Sequence, residues 1–333
     1  MAHYATNRFN YWGQLGILTL FVGIGLVTGW LVNYIPFSGK MSFSEYIDKG
    51  VIEKISKLLT TENADIFRWS QLITTVFLFF MPTVLYAWLC HVKAFKHLGF
   101  NNQIHIRQVV LIVLIMLAAS PIVDMLQQFT QMLPWSKAIL LKFKTAEDDY
   151  FKQVMVIGRM DNFMDYIISM IMVALLPAVF EEILFRGGLQ NLLSRWFKMP
   201  VLAIIVTSII FSAIHGSYLG FLSRFALSFI LGWMFYRTGN IWLNIIAHFF
   251  NNGLAITLLY LSIKPGTKMD PSIMEEHYPL WLGVIAIGIV AGLFIYLDKI
   301  SKNDIDRAGE EVLIPGYNFN DPFENDIDSI GKS

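Results

Sequence analysis

Cysteine is almost missing from this sequence, with Cys90 the one example in 333 residues. A single thiol closes no intrachain disulfide and builds no cysteine metal cluster. Charge is scarce as well, at 15%, and 25 lysines and arginines balance 25 aspartates and glutamates to a formal net charge of zero. Such a chain lacks the basic footprint of a nucleic-acid binder. No internal repeat stands out, so the inverted repeats of many transporters find no counterpart here. The first apolar run is too long for the core of a signal peptide, and no small-x-small cleavage pattern stands out. It reads as a retained signal anchor.

What is present is apolar. Hydrophobic residues make up 55% of the chain, and the mean hydropathy is +0.54. That composition implies several runs of about 20 apolar residues, each long enough to cross a bilayer. Eight such spans are expected: Trp12–Pro36, Leu72–Val92, Val109–Phe129, Phe163–Leu193, Met199–His215, Leu219–Tyr236, Ile241–Ser262 and Pro279–Leu297. Ser42–Trp69 carries Ile47, Val51, Ile52, Ile55, Leu58 and Leu59 at helical spacing, and Ser136–Met160 is similarly mixed in charge. Both suit amphipathic helices on the membrane surface. The expected fold is an all-α polytopic membrane protein of about eight transmembrane helices with two amphipathic surface segments. An even number of spans puts both termini on one side. The short loops there hold Arg8, Lys93, Lys96, Arg107, Arg195, Lys198, Arg237, Lys299 and Lys302, which makes that side cytoplasmic.

Against this background, Pro177-Ala-Val-Phe-Glu181-Glu182-Ile-Leu-Phe-Arg186 stands out. A charged side chain inside a span costs a few kcal/mol and marks a functional position or a buried pair. Glu182 and Arg186 are four apart and share a helix face, whereas Glu181 is rotated by about 100°. The spacing leaves Glu182 paired and Glu181 free for chemistry; a structural ion pair joining helices is the alternative. Pro177 withholds a donor from the carbonyl of Val173 and predicts a kink.

Four polar residues on later spans complete the set. His215 ends Phe211-Ser-Ala-Ile-His215-Gly216, and His248 and Asn252 lie one turn apart in Asn244-Ile-Ile-Ala-His248-Phe-Phe-Asn251-Asn252, with Asn244 one turn before them. An interfacial imidazole and helix-to-helix hydrogen bonding are the plainer roles for these residues. At about 1.5 Å of rise per residue, Glu181, His248 and Asn252 reach a similar depth. Together they would supply a base for water and donors for an oxyanion. Asp124 and Arg224 also interrupt apolar runs, and Asp124 is expected near the membrane interface.

Glu181-Glu182-x-x-x-Arg186, then Phe211-x-x-x-His215, then His248-x-x-x-Asn252, on successive apolar segments, resembles the CAAX prenyl endopeptidase type II family. Its bacterial members are also called CPBP or ABI-type intramembrane proteases. The resemblance covers about residues 163–261. It implies an intramembrane endopeptidase in which Glu181 and His215 activate water while His248 and Asn252 hold the oxyanion, with Glu182 and Arg186 at its other motif positions. It also implies a peptide or protein substrate, lipidated in some relatives, met at a multi-pass site in the cell membrane. Three spans and surface helices (1–162), a catalytic core (163–262), an eighth span (263–300) and a polar, acidic, disordered tail (301–333) would make up the chain. No cofactor is expected. A zinc ion on Glu181, His215 and His248 is the alternative, weakened by the lack of a His-Glu-x-x-His helix. A catalytically idle membrane protein that binds a peptide or confers bacteriocin immunity, or a small transporter, is the alternative function.

Overall fold

The computed structural model describes residues 9–91, 93–262 and 277–310, with 302–310 in backbone alone. It is an all-α membrane protein, and no strand occurs among the described residues. In chain order its principal helices are α1 (Tyr11–Val32), α2 (Thr61–Cys90) and α3 (Ile106–Met132), then α4 (Lys137–Ile157) and α5 (Phe163–Phe197). They are followed by α6 (Pro200–Ile214), α7 (Phe221–Thr238), α8 (Ile241–Ser262) and α9 (Leu280–Glu310).

Among the described residues, six helices have the length and apolarity to cross a membrane: α1 with its extension to Phe37, α2, α3, α5, α8 and α9 up to Ser301. The expected fifth span is the shorter apolar helix α6. The expected sixth is α7, whose Arg224 and Arg237 lower its hydropathy.

Several boundaries differ from those expected. The segment 42–69 is not one surface helix. Short helices at Phe43–Tyr46 and Val51–Leu58 are followed by a break at Leu59 and Thr60, and the second long helix begins at Thr61. Asp65 and Arg68 disguise that early start. Arg68 is buried because its guanidinium donates to the carbonyls of Ile157 and Arg159 at 2.9 and 2.6 Å and to Ser169 Oγ at 3.1 Å. α4 is a single, largely exposed helix. α5 runs past Leu193 to Phe197, where Lys198 takes up a left-handed conformation (φ 54°) ahead of Pro200. α9 continues through the expected start of the tail at 301 to Glu310; 311–333 lie outside the described residues. Asp124 lies about two turns before the end of α3 at Met132. It accepts from His277 Nδ1 at 2.6 Å and from the Tyr278 amide at 2.8 Å, joining α3 to the entry of α9.

Pro82 and Pro177 have a shared local solution. Each follows a wide, π-helical stretch, Val76–Phe80 before Pro82 and Met170–Leu175 before Pro177. In such a turn an amide reaches back five residues rather than four, so the missing proline donor is absorbed by a local widening. A third wide stretch, Ile183–Gln190, begins immediately after Glu182. Gly187 and Gly188 lie in it, and a Cβ on Gly187 would stand 2.8 Å from the Leu98 carbonyl oxygen. Small residues here allow neighbouring backbone to pass close by.

Two apolar clusters frame the molecule. Leu111, Ile115, Met116, Leu231, Met234, Leu243, Val290 and Leu297 join α3, α7, α8 and α9. Leu18, Phe79, Tyr86, Ala87, Phe185 and Phe211 join α1, α2, α5 and α6. Glu182 and Arg186 of α5 face α8 and α7 across the seam between them.

Candidate functional site

Glu182 and Arg186 are fully buried, with Arg186 Nη1 donating to Glu182 Oε1 at 2.7 Å. The i,i+4 pair forms although the helix widens between the two residues. Glu182 Oε1 also accepts from His248 Nδ1 at 2.8 Å, and its Oε2 accepts from Asn244 Nδ2 at 3.1 Å. Arg186 Nη2 donates to both the carbonyl and the hydroxyl of Ser228 at 3.0 Å. A carboxylate and a guanidinium at zero exposure are tolerable only when paired and hydrogen-bonded in this way. The network joins three helices, and α5 alone supplies the charges of the salt bridge.

Glu181 is placed differently. It is 7% exposed, and His248 Nε2 stands 3.9 Å from its Oε2, beyond hydrogen-bonding range. Glu182 is thus taken up by three donors, whereas Glu181 has no such shell among the described residues.

Hydrogen bonding fixes the tautomers of the two histidines. His248 Nδ1 donates to an ionised carboxylate, so its Nε2 faces Glu181. His215 Nδ1 donates to the Phe211 carbonyl at 2.7 Å, leaving Nε2 of the half-buried imidazole with a lone pair. Glu181, Arg224 and His248 are the charged or titratable neighbours of His215. Phe211 is the hub that holds them. Its ring lies 5.1 Å from the Arg186 guanidinium carbon, 4.7 Å from the His215 ring and 6.2 Å from the His248 ring.

The structure therefore brings Arg186, His215 and His248 around one aromatic ring, with Glu182 bonded to Arg186 and His248 and Glu181 beside His248. Asn252 is on the same helix as His248, but no hydrogen bond among the described residues ties it to that group. Its Oδ1 accepts from Asn251 Nδ2 at 3.1 Å, which leaves its own amide to donate elsewhere. Among the described residues no three His, Cys, Asp or Glu side chains converge as a metal-binding set.

Ser228 and Gln190 escape a reading of motifs alone. Gln190 Nε2 donates to the Gly232 carbonyl at 2.8 Å, so Arg186 and Gln190 on α5 meet Ser228 and Gly232 on α7, four residues apart on each side. A Cβ on Gly232 would stand 2.8 Å from Gln190 Oε1. The small residues of α7 were the available signal, since a Ser-x-x-x-Gly face admits a close polar neighbour.

Fold and site define a multi-pass helical membrane protein with an intramembrane cluster of two carboxylates, an arginine and two imidazoles. Within it, residues 163–254 match the family Type II CAAX prenyl endopeptidase Rce1-like, which is the resemblance carried by the motifs. The chain is also 40% identical over 83 residues to the "Uncharacterized protein YpbD" of Bacillus subtilis (strain 168), a match that covers 24% of this chain and 39% of that relative. No solved structure matches.

Proposed function

We propose that this chain is an intramembrane endopeptidase, acting on peptides whose scissile bond lies at or within the bilayer. One observation carries it: Glu182 is consumed by Arg186, His248 and Asn244, whereas Glu181 beside it lacks such a shell, stands 3.9 Å from His248 and is a charged neighbour of His215. Glu181 acts as general base, taking a proton from water oriented by the Nε2 lone pair of His215. The hydroxide adds to the peptide carbonyl, and the proton passes from Glu181 to the leaving amine. Nε2 of His248 and the amide of Asn252 donate to the tetrahedral oxyanion.

The tautomer adds a condition. Nδ1 of His248 already gives its proton to Glu182, so Nε2 donates only when the ring is doubly protonated. Glu181, Glu182, Arg186 and that imidazolium then sum to zero formal charge, which suits a site within hydrocarbon. The activity needs no resident metal. The termini face the cytoplasm of a cell membrane, lipid surrounds the spans, and a lipidated peptide of the class named in the matched family is the substrate to try first.

The test is a comparison of wild type with Glu181→Gln on an S-farnesylated, CaaX-ending reporter peptide, with products read by mass spectrometry. The same variant expressed in the native host and cross-linked should accumulate its uncut peptide. Full turnover by Glu181→Gln, with the peptide bond still cut at the same position, would remove Glu181 from the chemistry.

A further inference from the structure

Arg224 is a charge inside the sixth apolar segment that the recognised motifs leave unexplained. α7 carries two arginines inside it and near its end, and they are treated differently. Arg237 is paired with Asp298 of α9. Arg224 has no carboxylate at ion-pair distance and no hydrogen-bonding partner among the described residues, and its Nη1 is buried. What it has is an aromatic face: its guanidinium carbon lies 4.7 Å from the centre of the Tyr150 ring, on α4. A ring attracts the face of a guanidinium, but the N–H donors lie in its plane, and the buried Nη1 has no protein partner among the described residues.

The surroundings locate those donors. A Cβ on Gly220 would stand 2.3 Å from Arg224 Nη1 and 2.5 Å from Ser217 Oγ. The guanidinium is therefore folded onto the loop that directly follows His215. α4 holds the same loop: Glu147 Oε1 accepts from Ser217 Oγ at 2.6 Å and from the Leu219 amide at 3.1 Å. Phe143 stacks on Tyr218 at 4.7 Å. Glu147 thus orders the loop, Tyr150 fixes the arginine, and Arg224 is one of the charged neighbours of His215.

A half-buried cation with no protein partner for its donors, beside reacting groups, is suited to be completed by a ligand anion. We infer that Arg224 is the anchor for a carboxylate of the bound peptide, either its C-terminus or an acidic side chain. This inference rests on the peptidase function proposed above. Adjacency to the imidazole used in that reaction favours an anion of the reacting molecule over a lipid phosphate. Arg224 then sets which peptides are held and in what register, and it takes no part in the bond-breaking step.

The experiment uses the full chain in nanodiscs of phosphatidylcholine and a dansylated, S-farnesylated peptide with a glutamate among its last three residues. Three forms are compared: free C-terminus, C-terminal amide, and free C-terminus with that glutamate replaced by glutamine. Binding is read by fluorescence anisotropy and cleavage by product analysis. Neutralising the carboxylate that Arg224 holds should raise Kd and KM about tenfold or more with kcat nearly unchanged, as expected for loss of a charge-assisted contact. Arg224→Gln should show that same loss on the intact peptide and no further loss on the neutral form, with Arg224→Lys in between. A merely structural arginine would instead depress all three peptides alike. Equal handling of the three forms by wild type overturns the anchor while leaving cleavage, and so the peptidase, in place. Selective binding without cleavage does the reverse, and failure to bind any form overturns both. Discrimination that vanishes only when phosphatidylglycerol is added marks a lipid phosphate on Arg224 and overturns the peptide assignment.

Discussion

Replacing Glu182 with glutamine removes one charge and leaves the side chain's shape intact. At zero exposure Arg186 then keeps its two contacts to Ser228 but loses its counter-ion. Breaking one side of a buried ion pair costs about 3–5 kcal/mol. The glutamine amide adds a second fault, because it cannot accept from Arg186, His248 and Asn244 together as both carboxylate oxygens now do. One donor is left unmet, worth about 1–3 kcal/mol when buried. Glu182→Gln is therefore expected to lower the melting temperature in detergent sharply and to reduce membrane yield. Glu181→Gln should melt close to wild type while losing activity. The double variant Glu182→Gln/Arg186→Met should recover part of the loss, since it leaves no uncompensated cation. Melting curves of the three purified variants decide the matter. A Glu182→Gln protein as stable as wild type, or a double variant less stable than Glu182→Gln alone, would refute the assignment of Glu182 as the structural carboxylate.

Asn252→Ala should lower kcat by about 10²–10³-fold with little change in KM, the range for one oxyanion donor. Asn251→Ala, which removes a hydrogen bond to Asn252 rather than the donor itself, should cost about tenfold or less; equal losses in steady-state assays would make Asn252 a helix-packing residue. Gly187→Ala places a Cβ 2.8 Å from the Leu98 carbonyl oxygen and should destabilise by about 1–3 kcal/mol through overpacking, measured by thermal unfolding. Purified protein should hold well under one equivalent of transition metal by elemental analysis and keep its turnover after dialysis against a strong chelator. Stoichiometric zinc, with activity lost on chelation and regained with zinc alone, would make His248 a ligand instead.

Local features were the ones legible in the sequence. Glu182 and Arg186 are one helical turn apart, and the pairing follows from spacing alone. Contacts between helices were not legible: neither Ser228 nor the bond from His248 to Glu182 follows from either segment by itself. The start of α2 was hidden because Arg68 looks like a surface residue until the carbonyls of Ile157 and Arg159, some ninety positions later, are brought to it. α4 has a surface composition, yet Phe143, Glu147 and Tyr150 dock it on the loop after His215. Nothing in its own residues reveals that target.

The salt bridge within α5 also bears on how the protein is made. α5 carries its three site charges into the bilayer before α7 and α8, with Ser228, Asn244 and His248, have been synthesised. Each exposed charge at the centre of an inserting helix costs about 2.5–3.5 kcal/mol. Because Glu182 and Arg186 belong to the same helix and are one turn apart, they neutralise each other without waiting for a neighbour. The helix crosses the insertion machinery with one net charge instead of three separate ones. The bonds to α7 and α8 then form late in biogenesis, latching the later helices onto a segment already seated in lipid.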